Sequence, residues 1–195
     1  MTEPSPAYAQ SLAESTAQHA ASKTFSGRFL RPHKPLLIDL ANRLGIASVL
    51  DFGSGKGAQW DWIDPTDGRT IAQAMGAAVT CYDPAYPPFA AEPEGVFDLV
   101  ICSHTLAWIP INDHPWVLEK LFGHAAKAVF IAEKIGRRKK RFLSDPAAHP
   151  GDDWTVIDWI DDIEPVRRRF PDIETHLSVR YESGAGGRYT GRFVL

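Results

Sequence analysis

An acid followed by three glycines at alternate positions, Asp51-Phe52-Gly53-Ser54-Gly55-Lys56-Gly57, is the densest chemical signal in the chain. Glycine accepts backbone angles closed to other residues and, lacking Cβ, lets a ligand lie against the main chain. The apolar Ser48-Val49-Leu50 ahead of it reads as a buried strand leading into a tight turn and a helix start, where N–H groups lack helical partners. A polar ligand at this turn is the functional expectation; a turn without a ligand is the plain alternative.

A second acid, Asp83, closes the apolar stretch Ala78–Tyr82. In nucleotide folds an acid at the end of the second strand accepts hydrogen bonds from ribose hydroxyls, a task suited to an ionised carboxylate because it only accepts. A turn residue beside Pro84 is the other explanation. Ser103-His104-Thr105 follow the apolar run Val96–Cys102. Ligands and catalytic groups in open α/β sheets gather off the carboxyl ends of strands, which places these three for chemistry. His104 alone among them titrates, as a base or an orienting group, unless it is a hydrogen-bonded structural histidine. Tyr86 and Phe89 are either stacking surfaces for a ligand or loop anchors.

The elements that must position these residues follow from periodicity. Leu36, Leu37, Leu40, Ala41 and Leu44 recur at helical spacing and stop at Gly45. The glycine turn, a helical turn over Ala58–Trp62, a short helix Ile71–Met75 and the strand ending at Asp83 form one βαβ unit. Pro84–Phe89 is too proline-rich for a helix and forms a loop. Trp116–Phe122 reads as a helix and Ala128–Glu133 as a buried strand. Val156, Ile157, Ile160, Ile163, Val166 and Phe170 repeat at helical spacing around Pro165. Ile173–Glu182 and Arg188–Leu195 read as an antiparallel hairpin.

A chain of 195 residues at 44% hydrophobic and net charge −3 suits one globular domain and argues against a general nucleic-acid coat. Gly136 is followed by five basic residues, Arg137 to Arg141, which either contact a phosphorylated or nucleic-acid substrate or form a solvated loop. Cys81 and Cys102 give neither a disulfide framework nor metal-ligand spacing, and no metal site is expected. No membrane span and no secretory start are evident, so a cytoplasmic protein is expected. Residues 1–34 form an arm expected to be partly ordered, because only Tyr8 and Leu12 anchor its first part, and residues 35–195 form the domain.

The glycine spacing is neither that of a P-loop nor that of the dinucleotide fingerprint. Together Leu50-Asp51-Phe52-Gly53-Ser54-Gly55-Lys56-Gly57, Tyr82-Asp83-Pro84-Ala85, the strand Phe97–Cys102 and the helix Trp116–Phe122 resemble class I S-adenosylmethionine-dependent methyltransferases, in particular a methyltransferase-like group of bacteria and their phages. The resemblance implies a three-layer Rossmann-like α/β sandwich, its mostly parallel seven-stranded sheet ending in an antiparallel hairpin. It further implies S-adenosylmethionine as cofactor, with Asp51, Gly53, Ser54, Gly55 and Gly57 along its methionine part and Asp83 on its ribose. Ser103 and His104 then lie near the sulfonium and the acceptor, with His104 as the candidate base. The chain departs from the family at Ser103-His104-Thr105-Leu106, which is not the Asn/Asp-Pro-Pro-Tyr/Phe motif of amino methyltransferases, and at Leu106-Ala107-Trp108, where many members have Leu-Glu-His. The expected activity is methyl transfer to a small-molecule acceptor; a nucleic-acid methyltransferase and a non-catalytic protein of the same fold are the alternatives.

Overall fold

Strands that are apolar on both sides demand cover on both faces. In the computed structural model, which describes residues 3–21, 25–139, 154–157, 160–182 and 188–195, the central strands obey this. β1 (Ser48–Phe52) sends Leu50 and Phe52 into one core and Val49 into the other, while β3 (Phe97–Ser103) divides Val100 and Cys102 from Leu99 and Ile101 in the same way. The first core is closed by α4 (His114–Gly123) and α5 (Ile160–Arg167) through Val117, Leu118, Leu121, Ile163 and Val166. The second is closed by α2 (Lys34–Leu44) and α3 (Ile71–Met75) through Leu37, Ala41, Ile71 and Met75. Helices, sheet and helices stack as three layers, the α/β arrangement.

β2 (Ala78–Tyr82) lies at one edge, beside β1, then β3, then β4 (Ala125–Lys139), β6 (Glu174–Glu182) and β7 (Arg188–Val194). All neighbours are parallel except β6 and β7, which form the C-terminal antiparallel pair. Among the described residues the main path of the sheet is therefore six strands across rather than seven. Between β2 and β3 the chain holds Pro84, Pro87 and Pro88 and forms only the short 3-10 turn Pro87–Phe89, and among the described residues nothing pairs outside β2. A further strand, β5 (Trp154–Ile157), pairs antiparallel with Gly136–Lys139, off the main path.

Three local expectations change. Ala58–Trp62 forms turns rather than helix. Val156 and Ile157 belong to β5, and α5 starts only at Ile160, with Pro165 inside it. Arg137, Arg138 and Lys139 continue β4 as strand, whereas Lys140 and Arg141 lie outside the described residues, as does the 183–187 connection. The N-terminal arm contains a 16-residue helix, α1 (Pro6–Ala21). Among the described residues no helix is long and apolar enough to cross a membrane.

Candidate functional site

A cavity of about 470 Å³ opens at the carboxyl ends of β1, β2 and β3. Gly53, Gly55, Asp83, Ser103 and His104 all line it. Asp51, Ser54 and Gly57 do not; they lie beneath the turn and shape it from inside the protein.

Every amide from Gly53 to Ala58 has an acceptor, and all but that of Gly57 fasten the turn to the rest of the chain. Gly53 and Ser54 donate to the Tyr82 carbonyl at 2.7 and 3.0 Å, and Gly55 donates to Asp83 Oδ2 at 2.8 Å. Lys56 donates to the Phe25 carbonyl, Gly57 to that of Ser54 and Ala58 to that of Ser26, at 2.8, 3.1 and 2.9 Å. The open amides expected of a helix start are thus spent, because no helix follows the turn and the loop after α1 takes their place. Gly53 has φ +78° and Gly55 φ +60°, and a Cβ would fall 2.2 Å from Thr105 Oγ1 at the first and 2.4 Å from the Phe25 oxygen at the second. Both glycines are required by these approaches of protein to protein.

Asp83 is 8% exposed and sits in the cavity wall. Its Oδ1 accepts the Ala85 amide at 2.9 Å, so each oxygen already holds one backbone donor and keeps room for a second. Burial raises its pKa, opposed by the Ala85 and Gly55 amides and by His19. Asp51 has a different task. It is 1% exposed, takes the Gln59 side-chain amide and the Trp60 indole N–H (2.8 Å) on one oxygen, and is pushed up to about 6 by burial. It holds the segment after the glycines in place of a helix.

On the other side, Ser103 ends β3 with its Oγ buried and without a hydrogen-bond partner. His104 turns the chain at φ +56°, a region that few residues other than glycine occupy, and its amide donates to the Ala132 carbonyl at 2.9 Å. Its ring stacks on Phe29, centroids 4.0 Å apart. The loop is gripped from below at Leu106. The Leu106 amide donates to Glu133 Oε1 at 2.7 Å, and its carbonyl accepts from His114 Nε2 at 3.1 Å, with His114 Nδ1 3.2 Å from Asp162.

The roof is α1, which Ser5 pins to Asp113 by its amide and its hydroxyl, both at 2.7 Å, and which Ser11 ties to the Trp108 carbonyl at 2.7 Å. Tyr8, Leu12, Ser15 and His19 face the cavity from it. Sequence reasoning missed His19. The spacing of Tyr8, Leu12, Ser15 and His19 along one helical face was the available signal.

Fold and site together define an α/β protein with a half-open cavity at the carboxyl edge of a mostly parallel sheet. Set against protein-family models, curated proteins and solved structures, the chain matches none.

Proposed function

We propose that the protein is an S-adenosylmethionine-dependent methyltransferase acting on a small-molecule acceptor. The observation that carries this reading is the convergence of Asp83, Gly55 and the partnerless Ser103 hydroxyl, from the ends of three neighbouring parallel strands, on one cavity of about 470 Å³. That volume suits one ligand of cofactor size.

The residues present fit an adenosyl group. Each Asp83 oxygen has a lone pair left for a ribose hydroxyl. The Ser103 hydroxyl needs a polar group, and Phe25, Phe52 and Trp108 give apolar wall. The glycine turn offers close-packed surface rather than hydrogen bonds, since its amides are spent. When bound, the cofactor supplies an electrophilic methyl group on a sulfonium. The chain's own part is to hold the acceptor in line and to keep water out, with α1 and Trp108 as the cover from above. His104, beside Ser103, takes the proton from a hydroxyl or protonated-amine acceptor, with Phe29 fixing its ring plane.

A second reading, a ligand-binding protein without transfer, is favoured by the spent amides of the glycine turn. Calorimetric titration with S-adenosylmethionine and S-adenosylhomocysteine, followed by an assay of S-adenosylhomocysteine formation over an acceptor panel, separates the two. Binding with turnover supports the enzyme, binding without turnover supports the second reading, and no binding removes the cofactor from both.

A further inference from the structure

His19 differs from its neighbours on the roof. Its side chain is 3% exposed, and its ring stacks on Phe25 with centroids 4.7 Å apart and on Tyr86 at 5.3 Å. Its Nε2 stands 3.8 Å from Asp83 Oδ2. That gap is too long for a hydrogen bond, and a polar separation of this size is one that a single bridging oxygen closes. Nδ1 is buried without a partner. Burial drives the imidazole toward its neutral form, against the pull of Asp83 and with the push of Lys56. A neutral ring carries one N–H and one acceptor nitrogen.

We propose that His19 is a ligand-binding residue, and that His19 Nε2 and Asp83 Oδ2 together grip one hydroxyl of the ligand. The histidine donates to the hydroxyl oxygen and the carboxylate accepts its proton. An oxygen between two atoms 3.8 Å apart lies within hydrogen-bond reach of both, at roughly 2.8 Å from each, with no shift of α1 or β2. The contacts with Phe25 and Tyr86 set the ring plane in advance, so the grip is preorganised. The proposal rests on the reading of the cavity as an adenosyl-cofactor site and adds that the ribose is recognised from both sides, by β2 below and by α1 above. It makes α1 part of the binding site rather than cover alone.

The test is calorimetric titration of the full-length protein, His19→Ala and His19→Gln with S-adenosylhomocysteine and with its 2′-deoxy and 3′-deoxy analogues. The parent loses affinity about tenfold or more for the analogue that lacks the gripped hydroxyl, the size of one charge-assisted hydrogen bond. His19→Ala binds S-adenosylhomocysteine about tenfold or more weakly and no longer distinguishes that analogue, while His19→Gln, whose amide still donates, keeps part of the distinction. Ser11→Ala, which loosens α1 without touching the pair, weakens all three ligands by one factor. Thermal melting checks that each variant folds; should His19→Ala fail, the Gln variant carries the comparison. A His19 variant that discriminates between the ligands as well as the parent overturns the proposal and leaves the cofactor reading standing. A parent that binds none of the three overturns both.

Discussion

The Asp83 carboxylate accepts the Gly55 amide at 2.8 Å, so the acid at the end of β2 is a structural tie to the glycine turn before it meets any ligand. Its second oxygen holds the Ala85 amide, and both amides are buried. Asp83→Ala strands both donors, at about 1–3 kcal/mol each, and total destabilisation of about 2–6 kcal/mol is expected in urea unfolding. Asp83→Asn keeps one acceptor and loses about half of that. Loss of ligand binding in the Ala variant is therefore interpretable only beside the Asn variant.

Asp51 makes the opposite prediction. Burial lifts its pKa to about 6 from the ordinary 3.8, so the folded chain holds this proton more tightly than the unfolded one. The sign follows: stability contributed by this group is full below about pH 4, falls as pH rises through about 6, and then stays level. A shift of that size corresponds to about 3 kcal/mol at neutral pH. Asp51→Asn keeps a carbonyl oxygen for Gln59 and Trp60 and removes the buried charge, so a gain of up to about 3 kcal/mol at pH 7, and a flatter profile from pH 4 to 7, are expected. Destabilisation at pH 7 would contradict this account.

Substitution at Gly53 and Gly55, the two turn glycines that line the cavity, acts through the protein rather than through the ligand. Gly53→Ala drives Cβ into Thr105, and Gly55→Ala drives it into the Phe25 carbonyl. Each costs at least about 2 kcal/mol, combining a clash with a left-handed backbone. In Gly55→Ala the amides of Lys56 and Ala58, which donate to Phe25 and Ser26, exchange hydrogen faster than in the parent.

Ser103→Ala separates binding from folding. The hydroxyl has no partner, so its removal leaves stability unchanged or raises it by up to about 1 kcal/mol. Ligand affinity falls in the same variant, read by the titration that measures the parent. Unchanged affinity would place the ligand away from β3.

At His104 a left-handed backbone and a stacked ring offset one another. Glycine relieves about 1 kcal/mol of backbone strain and forfeits about the same in the contact with Phe29, so His104→Gly melts close to the parent. Transfer to a hydroxyl acceptor drops by about 10²-fold or more if the ring removes its proton.

The layers of the fold were legible because Val49, Leu50 and Phe52, and the run Leu99 to Cys102, put apolar side chains on both faces of their strands, which only a doubly covered parallel strand explains. The C-terminal pair was legible from its two β-rich segments. The helix after Gly57 was misjudged because periodicity cannot register that Asp51 binds Gln59 and Trp60 and holds that segment in turns. Val156 and Ile157 fit a helical stripe equally well as a strand, and pairing with β4 decided between them. Of the site, the glycines and Asp83 could be located, but that Phe25 and Ser26 consume the turn's amides is a long-range contact with no local signature. His19 was hidden because a single histidine in an alanine-rich arm gains meaning only once Asp83 lies opposite.

The bonds from Ser5 to Asp113 join residues 108 apart in the chain, and they have a consequence for the order of events during synthesis. At 5–20 residues per second, Asp113 leaves the peptidyl-transferase centre roughly 5–20 s after Ser5. The ceiling of the cavity is made well before the residue that anchors it. For those seconds the nascent chain has Phe25 and Phe52 in hand but no Asp113 to hold a cover over them, so α1 waits until its anchorage is translated.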